Sequence, residues 1–215
     1  MVRVAISVEG QTEDEFCKQI LAPYLLAKGI HLTPIIVTTS RERCGVKHKG
    51  GCINLSRVKS EIKKLLPSFD FVTTFYDLYG FDNIPKETTA NELEEKIQEL
   101  FPNNAKLIPY IQQYEFETLL FSEPSYYADY FDNPQATVDI EKIIKSCGVN
   151  IEDINNSKET APSKRIANFF DNYDETFEKV FHGYSIIEEI GLEKVLEKAP
   201  RFRAWVKRIE GLVKK

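Results

Sequence analysis

Apolar and polar residues alternate at the start of the chain, which is the pattern of a half-buried β-strand. Val2, Val4, Ile6 and Val8 alternate with Arg3, Ala5 and Ser7. Three further segments have the apolar character and the length of strands. The predicted strands cover residues 2–8, 32–38, 69–77 and 105–113. Pro34 lacks an N–H donor, which favours a sheet edge for the second strand or a place for the proline among its first residues.

Helical periodicity separates these strands and dominates the second half of the chain. Thr12 is a good N-cap for the first helix, and Gly29 ends that helix. The predicted helices cover residues 13–28, 55–66 and 90–100, a helix that opens at 114–121, and then 138–147, 162–170, 174–181 and 185–213. Strands that alternate with helices predict a mostly parallel, four-stranded α/β sheet flanked by helices. We expect this core over residues 1–125, with a helical extension over residues 126–215 packed on it.

Composition and charge exclude several classes of protein. The 215 residues carry a net charge of −5, so no overall basic field favours nucleic acid and any such contact must come from local patches. The N-terminus lacks the pattern of a signal peptide, and the apolar runs are shorter than a bilayer span. The four cysteines form no disulfide-scaffold pattern. We therefore expect a soluble cytoplasmic protein with no membrane partner.

Acidic residues recur where predicted strands end. Glu9 follows the first strand, Asp77 ends the third, and Glu115 and Glu117 follow the fourth. Because the carboxyl ends of parallel strands meet at one edge of a sheet, we expect these side chains to lie close together. Carboxylate oxygens in such a group suit Mg²⁺ or Mn²⁺, and Glu9 is the member that we assign to the site most firmly.

Basic residues are concentrated in two stretches of the chain. Lys47 and Lys49 stand beside a Gly-Gly pair that allows close approach to a phosphate, and Arg201 and Arg203 lie near the C-terminus. These four side chains are candidates for contact with a nucleic-acid backbone. The alternative is that they are solvated charges on helix surfaces that offset an acidic remainder.

Several longer motifs resemble known families. The segment VEGQTEDEF at 8–16 resembles the signature that opens Toprim-like domains of the overcoming-lysogenization-defect nuclease type. The wider chain is similar to the bacterial family DUF4276, which is itself grouped with Toprim-like proteins. The segments that carry this similarity are VEGQTEDEF, FYDLYGFDNIP at 75–85, IPYIQQYEFETLLF at 108–121, INNSKETAPSKRI at 154–166 and HGYSIIEEIGLEKVLEKAPRFRAWV at 182–206.

The resemblance implies a Toprim-like fold in which Glu9 and Asp77 bind Mg²⁺. It also implies that Lys164, with Arg165 beside it, stabilises the charge of a phosphoryl transition state. Many Toprim domains have Asp-x-Asp at the second position, whereas this chain has Asp77-Leu78-Tyr79. Glu115 or Glu117 is the candidate to replace the missing ligand, and we favour Glu117 slightly.

The function implied by the resemblance is a metal-dependent nuclease or phosphotransfer domain acting on nucleic acid. The resemblance also implies a role in bacterial antiviral defence and a separate ATPase as a partner. Two alternatives stay open at this point. The first is a catalytically degenerate interaction module that binds a partner protein, and the second is a phosphatase of small molecules that uses the same metal site.

Overall fold

The computed structural model of the protein describes residues 1–37, 53–148, 150–155 and 157–213. Contacts within the chain divide it into two units. The first unit comprises Met1–Gln112 together with Glu210–Lys215, and the second comprises Gln113–Ile209.

The first unit contains a parallel sheet, as the alternation of strands and helices predicts. Its strands are β1 (Val2–Val8), β2 (Ile30–Ile36), β3 (Phe71–Asp77), β4 (Leu107–Ile108) and β5 (Ile111–Gln112). The order across the sheet is β2-β1-β3-β4, and β5 also pairs in parallel with β3. Pro34 lies in β2, which ends the described sheet, so the predicted edge position of this strand is confirmed.

The predicted fourth strand is broken into β4 and β5. Pro109 stands between them, and a proline supplies no N–H to a β-ladder. Threonine hydroxyls of β3 bond to the backbone on both sides of the break. Thr73 Oγ1 donates to the carbonyl of Ile108 at 2.6 Å, whereas Thr74 Oγ1 donates to the carbonyl of Tyr110 at 2.8 Å and accepts from its N–H at 2.9 Å. The sheet therefore continues across the proline through side-chain hydrogen bonds.

Helices connect the strands of the first unit. They are α1 (Gln11–Phe16), a π-helical turn (Cys17–Leu21), α2 (Ala22–Leu26), α3 (Leu55–Leu65), a 3₁₀ turn (Leu78–Gly80) and α4 (Ala90–Glu99). Asn54 caps α3 by accepting from the N–H of Arg57 at 3.0 Å. Thr89 caps α4 in a reciprocal arrangement with Glu92. Asn54 and Thr89 thus cap α3 and α4. The predicted cap of the first helix was wrong, because α1 begins at Gln11 with Gly10 at its N-cap and Thr12 lies inside it.

The C-terminal residues of the first unit contact the end of its first helical segment. Glu210 accepts a hydrogen bond from the Tyr24 hydroxyl at 2.7 Å and forms an ion pair with Lys28 at 3.4 Å. Val213 lies against Gly29, which has a φ of +85°. These contacts explain why the last residues belong to the unit that contains the sheet.

The second unit is helical, as predicted for the C-terminal half. Its elements are α5 (Tyr126–Tyr130), α6 (Gln135–Cys147), α7 (Pro162–Asp171), α8 (Lys179–Ile190), α9 (Leu192–Lys198) and α10 (Pro200–Glu210), with 3₁₀ turns at Phe116–Phe121, Ile151–Asp153 and Lys158–Thr160. The last residue of α10, Glu210, belongs to the first unit. Within the ranges given above, no helix is both long enough and apolar enough to cross a membrane.

Three predicted helices differ from the observed ones. The segment at 114–121 is a 3₁₀ helix, and residues 174–178 precede α8 without being helical. The predicted helix at 185–213 is three helices. Gly191 interrupts it with a φ of +88°, and Pro200 starts a new helix because a proline fits a first turn but not a helix interior.

His182 lies in a cluster of aromatic rings within the second unit. The ring centroid of Phe170 is 5.0 Å from that of the imidazole, and Phe177 stacks on the imidazole at 5.5 Å. Nδ1 accepts a hydrogen bond from the backbone N–H of Glu178 at 2.8 Å. Burial lowers the pKa of His182, although the carboxylates of Glu178 and Glu175 oppose this effect. The structure therefore favours the neutral imidazole.

This environment predicts a pH dependence of stability. As the pH falls below about 6.5, the ordinary pKa of histidine, the unfolded chain takes up a proton that folded His182 resists. The free energy of unfolding should therefore decrease until the pH has passed the lowered pKa of the folded state. Urea denaturation at pH 7.5 and 5.5 measures the effect. His182→Gln should reduce the difference between the two pH values, while the exposed-site control His31→Gln should retain it. Equal differences in the two variants would contradict the prediction.

Candidate functional site

Glu9 and Asp77 lie at the carboxyl ends of adjacent parallel strands. Val8, the last residue of β1, pairs with Phe75, so Glu9 leaves β1 close to the point where Asp77 ends β3. Both side chains are half-buried. The Oε2 atom of Glu9 and the Oδ1 atom of Asp77 are closed off from solvent. The structure therefore brings these two predicted residues to one edge of the sheet.

Gly80 provides the space that the Glu9 carboxylate occupies. A Cβ atom at position 80 would lie 2.1 Å from Oε2, 2.5 Å from Oε1 and 2.6 Å from Cδ of Glu9. Gly80 ends the 3₁₀ turn that directly follows Asp77. The Glu9 carboxylate, at the end of β1, thus lies against the backbone that follows β3. Only a glycine at position 80 permits this approach.

A buried polar pair lies between the same two strands. The Tyr76 hydroxyl of β3 donates to Ser7 Oγ of β1 at 2.7 Å, and both side chains are fully buried. Burial raises the pKa of Tyr76, and the negative charges of Glu61 and Glu9 raise it further. The Tyr76–Ser7 hydrogen bond therefore joins β3 to β1 one residue before Asp77.

Gln112 was not identified from the sequence as a site residue. It ends β5, pairs in register with Asp77 and is fully buried. Its Oε1 accepts from the Tyr110 hydroxyl at 2.8 Å, whereas its Nε2 has no hydrogen-bond partner within the described residues. The sequence places Gln112 beside Gln113 in a predicted strand, and no local signal separates the two.

Glu115 and Glu117 belong to the second unit. Glu115 Oε2 accepts from the backbone N–H of Ser163 at 2.8 Å, so this carboxylate caps the first turn of α7. Glu117 is almost completely buried, and its Oε1 forms an ion pair with Lys179 Nζ at 2.8 Å. Burial raises the pKa of Glu117, whereas Lys179 lowers it and Glu115 contributes a further rise. Lys179 is a second residue that the sequence did not single out.

The predicted basic residues have different surroundings. Lys164 is exposed in the first turn of α7, where Pro162 places it as predicted. Arg165 donates from Nε to the carbonyl of Thr160 at 2.8 Å. Arg203 donates from Nη1 to two carbonyls near the end of α9, each at 3.1 Å. Arg201 is half-buried near the start of α10. Lys47 and Lys49 lie outside the described residues.

The acidic side chains fit one kind of metal site better than another. Among the residues described, no group of three or more His, Cys, Asp or Glu side chains is arranged to hold a metal ion. A site that consists only of protein ligands, as structural zinc requires, is therefore not formed by these residues. Mg²⁺ instead keeps several water molecules and is usually held by one or two carboxylates together with substrate phosphates. Glu9 and Asp77 fit this second arrangement.

The fold and the site define an α/β protein whose parallel sheet carries acidic side chains at its carboxyl edge. The chain belongs to the family described as Domain of unknown function (DUF4276), whose sequence profile matches residues 8–210. The resemblance to this family that the motifs indicated is thereby confirmed. No curated protein and no solved structure shows a significant match to the chain.

Proposed function

We propose that the protein is a Mg²⁺- or Mn²⁺-dependent nuclease or phosphotransfer enzyme with a Toprim-like core. Glu9 and Asp77 are its proposed cation ligands. The observation that supports this proposal most directly is the position of the Glu9 carboxylate. It leaves β1 and lies against Gly80, three residues beyond Asp77 at the end of β3. Two carboxylates from neighbouring strand ends are the donor set that Mg²⁺ uses beside substrate phosphates.

Each side chain has a distinct proposed part. A divalent cation at this edge would activate water and neutralise charge at the scissile phosphate. Glu9 and Asp77 would hold the cation, and the absence of a side chain at Gly80 leaves room for the Glu9 carboxylate. Lys164, exposed in α7, is the proposed contact of the second unit with a phosphate group.

The substrate and the setting are supported by the family resemblance and by local charge. Arg165, Arg201 and Arg203 of the second unit, with Lys47 and Lys49, are the proposed contacts to a nucleic-acid backbone. Arg165 and Arg203 also bond to backbone carbonyls, so their replacement is expected to affect helix ends as well as binding. A bacterial cytoplasmic role in antiviral defence, with a separate ATPase as partner, completes the proposal.

One observation favours a second candidate function. Tyr79 stands where many Toprim domains carry their second aspartate. A catalytically degenerate module that binds a partner protein would not need that carboxylate. Metal binding separates the two candidates, because the module requires none.

Asp77→Asn tests the proposed site. We expect the metal-dependent cleavage rate of DNA or RNA to fall at least about a hundredfold, since loss of even an outer-shell partner typically costs 10–100-fold. The assay uses the full chain with single- and double-stranded DNA and RNA, in Mg²⁺, Mn²⁺ or EDTA. Asp82→Asn, an exposed aspartate of the following loop, is the control and should leave the rate unchanged.

Two results would count against this assignment. If the Asp77→Asn variant cleaves at the wild-type rate, Asp77 is not a cation ligand. A wild-type protein that neither cleaves any of the four substrates nor binds millimolar Mn²⁺ by calorimetry would support the interaction module.

A further inference from the structure

The Glu117–Lys179 ion pair joins a buried group to an exposed one. The side chain of Glu117 is 2% exposed, whereas that of Lys179 is 53% exposed. Nζ of Lys179, the first residue of α8, lies 2.8 Å from Oε1 of Glu117. The carboxylate is therefore held in place by the surrounding unit, while much of the lysine side chain remains in contact with solvent.

Lys179 leaves the acidic group incompletely neutralised. Oε2 of Glu117 is buried and has no hydrogen-bond partner within the described residues, and the same holds for Oγ1 of the adjacent Thr118. Glu115 adds a second negative charge, and its Oε2 accepts only from a neutral backbone N–H in the described structure. A buried carboxylate is stable when its charge is paired and its oxygens accept hydrogen bonds or bind a cation. One ammonium group meets only part of this requirement.

We propose that Lys179 is a tethered counterion that competes with a divalent cation for the Glu117 carboxylate. The inference rests on the proposed metal dependence of this protein. With the lysine in place, the Glu117 carboxylate has a counterion without metal. When a divalent cation binds, the ammonium returns to solvent and the cation takes its place.

The chemistry of the two groups supports this exchange. A lysine ammonium is compact and strongly hydrated, and four flexible carbons connect it to the backbone. Its half-exposed position means that it regains water readily when it leaves the carboxylate. Glu117 cannot move to solvent in the same way, so a vacated carboxylate must find another cation or a proton.

Lys179→Met removes the competing charge and keeps much of the side-chain volume. We expect the affinity for Mn²⁺, measured by calorimetry on the full chain, to rise about tenfold. We also expect the thermal unfolding midpoint without metal to fall, and Mn²⁺ to raise it by more than in the wild type. Adding Glu117→Gln to this variant should remove the gain in affinity. Lys194→Met is the matched control, because Lys194 pairs at 3.2 Å with Glu123, which is more exposed than Glu117.

Several outcomes would overturn the inference. They are an unchanged or lower Mn²⁺ affinity in Lys179→Met, a gain that persists with Glu117→Gln, or an equal gain in Lys194→Met. If Lys179→Met does not fold, Lys179→Arg decides instead. A guanidinium binds a carboxylate more firmly, so the affinity for Mn²⁺ should fall, and a rise would refute the proposal.

The inference and the proposed function can fail separately. If Asp77→Asn cleaves normally while Lys179→Met gains Mn²⁺ affinity through Glu117, the proposed reaction centre is wrong and the competition stands. If Asp77→Asn loses cleavage and Lys179→Met shows no gain, the reaction centre stands and Lys179 is only a structural counterion.

Discussion

Gly80→Ala should reduce metal-dependent cleavage at least about a hundredfold, as much as the loss of a residue that positions a metal ligand. The added Cβ would lie 2.1 Å from Oε2 of Glu9, a separation that non-bonded atoms do not tolerate. Gly80 has no left-handed φ, so an alanine there meets no backbone strain. The Glu9 carboxylate must therefore move, while the strands on which the first unit depends remain intact.

Gly10→Ala provides the matched control for this substitution. Gly10 lies at the same edge of the sheet, but a Cβ there would come only to 3.3 Å from Oε2 of Glu13. We expect cleavage and Mn²⁺ affinity within about threefold of wild type, because a shift of a few tenths of an ångström relieves such a contact. If Gly80→Ala cleaves as well as Gly10→Ala, the observed position of Glu9 is not required for the reaction.

Glu152→Ala is the substitution from which we expect the largest loss of stability outside the candidate site. Glu152 is 1% exposed, and its two oxygens accept from the backbone N–H groups of Arg201 at 2.9 Å and Phe202 at 3.1 Å. This carboxylate therefore satisfies the first turn of α10, which Pro200 opens. Since a hydrogen bond to a charged group is worth about 1.5–3 kcal/mol and two are lost, we expect the free energy of unfolding to drop by about 3 kcal/mol.

Urea denaturation of three variants measures the contribution of Glu152. Glu152→Gln keeps one acceptor oxygen and should lose about half as much stability as Glu152→Ala. Asp153→Ala removes a neighbouring exposed carboxylate and should change the free energy of unfolding by less than about 0.5 kcal/mol. A Glu152→Ala variant as stable as Asp153→Ala would show that the two hydrogen bonds are not important for α10.

The parts of the fold that depend on local pattern were predictable from the sequence. β1 and β3 coincide with alternating or continuous apolar segments bounded by turn residues, and α4 begins at residue 90, as predicted. The break at Pro109 has a local cause, because a proline supplies no N–H, but its bridging by threonine hydroxyls of β3 is a tertiary feature that the sequence does not display. The break at Gly191 has a local cause, its positive φ, yet the helical periodicity on both sides of the glycine concealed it.

The candidate site was predictable only in part, because several of its contacts depend on strand register and tertiary structure. The positions of Glu9 and Asp77 follow from where their strands end, because parallel strands bring such residues to one edge. The contact of Glu9 with Gly80 depends on the register between β1 and β3, which the sequence does not display. The pairing of Glu117 with Lys179 is likewise tertiary, since α7 and other segments separate the two residues along the chain.

Pro34, in the edge strand β2, has a consequence for how copies of this chain can associate at high concentration. Pro34 pairs with Ile6 in the middle of β2, and Ile36 beyond it exposes 40% of its surface. Among the residues described, β2 pairs only with β1, and an edge strand of this kind is a template on which another molecule can add its own strand and begin an aggregate. A strand of another molecule that paired with β2 would receive no N–H from Pro34. The ladder of backbone hydrogen bonds between the two strands would therefore be interrupted at that residue. The residue that marks the edge of the described sheet would thus also disfavour edge-to-edge pairing between copies of the chain.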